Sequence, residues 1–217
     1  MATHTQTEIN TSKLIENMTA FADRGHAQVP GMLQVIKLLS YGQPLSRAKV
    51  AKELELDSAQ VDRLWRIGEV NEKGDLVGFG ISLVPTPHRY QIKDRGLYVW
   101  CAADAIMFSM FLKMRAFIQS PDPISGERIN LVVSPNGVES LDPKTTVISH
   151  PTETEGLKNV RRWFCDATHF FASHETADEY VANRQEIQLT TLSAQEVFEI
   201  WQKVYDREPY VSLVANR

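Results

Sequence analysis

The chain has 217 residues, 43% of them hydrophobic and 23% charged, which excludes disorder as its main state and fits one or two folded domains. Lys and Arg number 23 against 27 Asp and Glu, and a net charge of −4 argues against a chain-wide polyanion binder while leaving room for a local basic patch. Two cysteines are too few for a disulfide framework or a four-thiolate zinc site, so they act singly or as one pair.

The N-terminus has no basic stretch followed by an apolar one, so no secretory signal is expected, and a cytoplasmic protein with reduced thiols follows. A first helix is expected over residues 11–22, with Leu14, Ile15 and Met18 on one face. MLQVIKLLSYGQ reads as a short helix closed by Gly42. Ser46 fits the N-cap of RAKVAKEL, and Ser58 that of AQVDRLWRIGEV. NEKGD, residues 71–75, is a turn; LVGFGISLV and RYQIK after it are short strands. Helices followed by a two-stranded ribbon give the order of a winged helix. Pro85 and Pro87 mark a boundary between a helical, winged-helix-like domain at 1–85 and a second domain at 86–217.

The second half mixes classes. The apolar run at 97–112, LYVWCAADAIMFSMFL, falls short of the ~20 residues that span a bilayer and is interrupted by Asp104. A buried helix near 97–118 is expected instead of a membrane segment. INLVVS, TTVIS, DATHFFAS and EIQLTTL are strand-like, with PNGVESLDPK a turn-rich link. Thr176 with Glu179, and Ser193 with Glu196, fit capping boxes for helices near 177–183 and 194–205. The fold class is therefore α+β, a winged-helix-like helical domain packed on a mixed, mainly antiparallel sheet with helices.

Three residues draw chemical attention. Cys101 and Asp104 stand i and i+3, on neighbouring faces of one helical turn. Cys101 reads either as a small buried hydrophobe or as a nucleophile. Asp104 is the only charged residue between Arg95 and Lys113. It either pairs with Arg95, Lys113 or Arg115, or is a carboxyl of raised pKa able to carry a proton. Cys165 follows Arg161 and Arg162, which could favour its thiolate. On a strand it would share a face with Ala167, His169 and Phe171. A zinc reading uses Cys165, His169, His174 and Cys101, but there is no C-x-x-C, and a strand sends the two histidines to opposite faces. His88 and His150 carry no signal beyond ordinary polar residues. GFG at 78–80 lacks the rest of a dinucleotide fingerprint; no P-loop and no G-x-S-x-G occurs. Residues 31–95 hold ten Lys/Arg and eight Asp/Glu, and the candidate recognition helix is electrically neutral. Its Leu64, Trp65 and Ile67 point to burial rather than DNA contact.

The blocks RGLYVWCAADAIMF and RRWFCDATHFFAS, about sixty residues apart behind a helix-turn-helix-like segment, resemble the organomercurial (alkylmercury) lyases. The resemblance extends through VPGMLQVIKLLSYGQPLSRAKVAKELEL at the front, LVVSPNGVESLDP and TADEYVA. It implies that Cys101 and Cys165 are the mercury-binding thiols and that Asp104 is the proton-transferring carboxyl beside the metal. Asp166 follows Cys165 where some relatives carry a further cysteine, so no third thiol is available here. Mercury is soft and prefers thiolate ligands. Two thiolates on one mercury make the attached carbon more basic, and an acid beside them can then protonate it. Trp100, Phe164, Phe170 and Tyr98 are candidates for excluding water or seating the organic group. The implied reaction converts R–Hg⁺ to R–H and Hg²⁺ with no cofactor, with mercury as substrate and product. Small thiols or a mercuric reductase would take the metal; neither nucleic acid nor membrane is implied as a partner. The rival is a winged-helix transcription regulator that senses metal or redox state through Cys101 and Cys165.

Overall fold

The computed structural model describes residues 10–153 and 160–211. Four helices come first: α1 (Thr11–Gln28), α2 (Met32–Leu39), α3 (Arg47–Leu54) and α4 (Ser58–Ile67). The α1 helix continues past residue 22 because its apolar face, with Leu14, Met18 and Ala22 buried, lies along a C-terminal helix, α8 (Ala194–Tyr205). Ser46 caps α3 as expected, accepting the Lys49 N–H. The cap of α4 is Asp57 rather than Ser58. Its carboxylate accepts the Gln60 N–H at 2.8 Å, and the Gln60 side chain accepts the Asp57 N–H at 2.9 Å, so the box closes one residue earlier.

Strands β1 (Glu69–Val70), β2 (Leu76–Phe79) and β3 (Ile81–Ser82) follow α4. The expected ribbon does not stand apart. It continues into β4 (His88–Ile92), β5 (Arg95–Val99), β6 (Ala116–Pro121), β7 (Arg128–Ser134) and β8 (Gly137–Asp142). These form one eight-stranded sheet ordered β1-β2-β3-β5-β4-β6-β7-β8, and every pairing in it is antiparallel. The sheet therefore crosses residue 85. In β4 the side chains alternate as sheet geometry requires, with His88, Tyr90 and Ile92 buried and Arg89 and Gln91 exposed.

The apolar run at 97–112 is not one helix. Its first residues finish β5, Trp100 turns the corner, and α5 covers only Ala102–Leu112. A continuous apolar run suits a buried strand as well as a buried helix, so the join left no mark in the pattern. Residues Ala102 to Ser109 are all buried, and α5 packs against β4, β5, β7 and α8. The stretch read as a turn-rich link contains β8, an edge strand whose mostly exposed residues lack the apolar alternation that announces a strand.

A second, three-stranded sheet sets β9 (Val147–Pro151) between β10 (Phe170–Phe171) and β11 (Leu189–Ser193). DATHFFAS is only partly strand: Cys165–Ala167 form a 3-10 turn, and a short helix, α6 (Val160–Trp163), precedes it. The helix α7 (His174–Ala182) is capped by Ser173, not Thr176, because the Thr176 hydroxyl is given to Asp122 at 2.6 Å. The expected capping box at Ser193 and Glu196 starts α8. Among the described residues no helix is long and apolar enough to cross a membrane.

Candidate active site

Cys101 sits at the N-cap of α5, in extended backbone, and its Sγ accepts the Asp104 N–H at 3.4 Å. The cap places the thiol and the carboxyl on one helical turn. Trp100, just before it, donates its N–H to the Gly80 carbonyl at 2.8 Å. Gly80 has φ +69°, and a Cβ there would come within 2.6 Å of Phe108, so only glycine lets β2–β3 approach α5 this closely.

Cys165 comes from the 3-10 turn. The Ala102 N–H donates to the Thr168 carbonyl at 3.1 Å, and the Thr168 hydroxyl donates to the Phe164 carbonyl at 2.7 Å. These bonds tie the start of α5 to the segment carrying the second thiol. The result is a cluster in which the sulfurs of Cys101 and Cys165 and a carboxyl oxygen of Asp104 all lie within 4.8 Å of one another. All three side chains are buried. Among the described residues this is the one group of three or more His, Cys, Asp or Glu placed to hold a metal ion. The zinc reading fails on that geometry: His169 Nε2 bonds the Asp166 carbonyl at 3.0 Å, and His174 is exposed at the start of α7.

None of the three cations considered for Asp104 neutralises it. Arg95 donates to the Ser40 carbonyl at 2.9 Å, Arg115 pairs with Glu139 at 2.6 Å, and Lys113 ends α5 at the far terminus. Burial pushes the Asp104 carboxyl up to about 7, against smaller opposing effects of Cys101 and Arg161. Its Oδ2 is buried with no hydrogen-bond partner among the described residues. Burial likewise drives the Cys101 thiol well above its ordinary value, aided by its hydrogen bond to Cys165 and the charge of Asp104. At Cys165 the hydrogen bond from Cys101 favours the thiolate; burial and Asp104 outweigh it, and the thiol ends above its usual range.

Arg161 is the nearby cation that the sequence indicated for Cys165, and it lowers the cost of charge there. Its guanidinium lies 4.7 Å from the centre of the Trp100 ring and bonds Glu69 at 2.6 Å. Burial acts to raise Glu69, but hydrogen bonds from Ser82 and Arg161 hold it below the usual carboxylate range. Arg162 instead lies over Trp163. Glu69 carried no sequence signal, because its partners Arg161 and Ser82 lie 92 and 13 residues away in the chain.

Asp104 and Cys165 stand at the wall of a cavity of about 130 Å³. Trp100 and Phe164 line it, as the sequence reading allowed; Tyr98 and Phe170 do not. Phe170 packs against His88 instead. Its other walls come from α1, α2, α5 and α8, which the sequence reading did not connect with the site. Cys101 is fully buried and does not reach the cavity, so it lies behind Asp104 and Cys165.

The alkylmercury lyase family model matches residues 81–206, a span that contains all three of these residues. A curated alkylmercury lyase from Staphylococcus epidermidis is 32% identical over 196 residues, covering 88% of this chain and 89% of the relative. The chain belongs to the alkylmercury lyase family. A second alkylmercury lyase, from Streptomyces lividans, is 32% identical over 160 residues, covering 71% of this chain and 74% of its own. The fold is similar to a solved crystal structure of the mercury-bound form of MerB2, with a TM-score of 0.71 at 18% identity. That match covers 87% of this chain and 97% of the other.

Proposed function

We propose that Cys101, Asp104 and Cys165 carry out this alkylmercury lyase's reaction, protonolysis of the carbon–mercury bond. The observation that supports it is the buried convergence of two sulfurs and one carboxyl oxygen within 4.8 Å at the end of an apolar cavity. Cys165, facing the cavity, attacks mercury first, and its thiol proton leaves with the thiolate or halide that the substrate arrived with. Cys101 then gives its proton to the Asp104 carboxylate and adds its own sulfur to the same mercury. Two soft thiolate donors now push electron density onto the carbon. Asp104 returns the proton to that carbon, the carbon–mercury bond breaks, and R–H leaves.

The Cys165 proton leaves on the displaced thiolate or halide, the Cys101 proton passes through Asp104 to carbon, and Hg(II) remains on two thiolates. A carboxyl with a pKa near 7 can serve as base in the first transfer and as acid in the second. Release of Hg(II) then needs competing thiols, supplied as small molecules or by a mercuric reductase.

Gas chromatography of the pure protein mixed with methylmercury and excess thiol tests this reading. Methane released over many turnovers supports it. Tight uptake of mercury with no hydrocarbon would overturn it in favour of a sensor.

A further inference from the structure

The two sulfurs stand on supports of unequal strength. Cys101 caps an 11-residue helix, α5. Cys165, which borders the apolar chamber, starts a 3-10 turn of only 3 residues, Cys165–Ala167, and such turns have poorer hydrogen bonds than an α-helix. The turn's own bonds are at the long end of the normal range: the Ala167 N–H reaches the Phe164 carbonyl at 3.2 Å, and the Thr168 N–H the Cys165 carbonyl at 3.1 Å. Support comes from outside it. Asp166 is exposed, yet its backbone carbonyl accepts three side-chain bonds, from His169 Nε2 at 3.0 Å, the Tyr180 hydroxyl at 3.1 Å and Arg184 Nη2 at 2.9 Å. We propose that Tyr180 and Arg184 are positioning residues, which hold this turn so that the Cys165 sulfur stays within reach of the mercury atom that Cys101 and Asp104 also reach. The proposal rests on the lyase reading above and adds to it two residues that act through Cys165.

Chemistry fixes the direction of each bond. A carbonyl oxygen only accepts, so His169 presents its Nε2–H. A guanidinium only donates, so Arg184 Nη2, which also reaches the Tyr180 oxygen at 2.8 Å, is the donor there, and the single Tyr180 hydroxyl hydrogen is left for Asp166. A carbonyl offers two lone pairs and here meets three donors, so a shift of the turn in any direction stretches at least one bond. Arg184 also brings a charge, and charge-assisted bonds are about twice as strong as neutral ones. Its guanidinium lies 5.2 Å from the centre of the Tyr180 ring, and that ring packs edge-on against His169 at 5.4 Å and against Phe171 at 5.1 Å. Tyr180 is on α7, and Arg184 follows that helix's Asn183 cap. The end of α7 is therefore a bracket for a turn 14 and 18 residues earlier in the chain.

The test is a single turnover with the chain in excess over phenylmercury, following attachment by intact-protein mass spectrometry and benzene by gas chromatography. Arg184→Ala is expected to attach phenylmercury as fully as the wild type, because Cys165 is still present. It is expected to release benzene at least ~10-fold more slowly, the lower range when a residue that orients a metal-binding group is lost. Tyr180→Phe keeps the ring packing and is expected to slow release in the same direction; it carries the test if Arg184→Ala does not fold. Arg184→Lys restores a charged donor and is expected to release benzene faster than Arg184→Ala. Thr176→Val removes a different α7 anchor, the 2.6 Å bond to Asp122. It is expected to lower stability in urea and to leave the rate per attached molecule at its wild-type value. Wild-type release by the folded Arg184→Ala or Tyr180→Phe chain, no gain from Arg184→Lys, or an equal loss in Thr176→Val overturns the proposal. A wild-type chain that attaches phenylmercury and forms no benzene overturns the lyase reading instead, and a Cys165→Ala chain that still forms benzene overturns the part given to Cys165.

Discussion

The sulfur of Cys101 accepts the backbone N–H of Asp104 at 3.4 Å, so one helix cap fixes the thiol and the carboxyl relative to each other. Neither group has to be gathered by the substrate. The bond also supplies part of the thiolate's stabilisation, since a backbone N–H offsets some of the burial that raises the Cys101 thiol.

Asp104→Asn keeps the size and polarity of the side chain but carries no exchangeable acid proton. The variant is expected to bind organomercurial and to release hydrocarbon at least ~10²-fold more slowly, the lower range for general acid–base catalysis. Single-turnover hydrocarbon release in ordinary and deuterated water checks it. A per-molecule rate equal to wild type would remove Asp104 from the proton path.

The two thiols are expected to fail differently. Cys165→Ala removes the sulfur that faces the chamber, and such a chain should neither capture nor cleave phenylmercury. Cys101→Ala keeps that sulfur, so one organomercurial should remain attached per chain with no benzene formed. Intact-protein mass spectrometry together with product analysis separates the two cases. Equal capture by both variants would contradict the order of attack.

Asp104 also makes stability depend on pH. In the fold it keeps its proton up to about pH 7, whereas an unfolded aspartate loses it near 3.8. Between those values the folded chain binds more protons, so this group's contribution falls as pH rises through the window. Asp104→Asn removes the slope. Relative to wild type the variant should gain roughly 2–3 kcal/mol on going from pH 5 to pH 8. Urea unfolding at the two values measures it, and a constant difference would mean that the carboxyl is already charged in the fold at pH 5.

The α4 helix occupies the place of a recognition helix, yet Val61, Leu64 and Trp65 are buried in the chain itself, and Arg47 is paired with Asp62. Titration with random duplex DNA at physiological salt should show no binding tighter than ~10⁻⁵ M, within the usual non-specific range. A nanomolar, sequence-specific complex would restore the regulator reading.

Much of the site was legible because the two thiols are the only ones and the acid interrupts an apolar run. Those are one-dimensional signals. The α+β class followed from element order, and the caps at Ser46 and Ser193 from local chemistry. What stayed hidden depends on distance along the chain. Ile67 was read as buried with Leu64 and Trp65, but it is exposed beside the chamber. His88 and His150 looked ordinary, yet both are buried, and desolvation lowers them to about 3 and about 4. The end of β5 at Val99 was invisible because a strand and a helix that are both buried share one apolar pattern. The fastening of Arg161 to Glu69 had no local trace at all.

The eight-stranded sheet has a consequence for anyone trimming this chain. A fragment beginning at residue 86 would keep Cys101, Asp104 and Cys165 but lose β1, β2 and β3, which form one end of the sheet. It would also lose the α1 and α2 walls of the chamber and the Gly80 carbonyl that anchors Trp100. The reagents would remain and the vessel would be open to water. The first 85 residues include none of the three residues proposed to react, yet they form much of the enclosure around them.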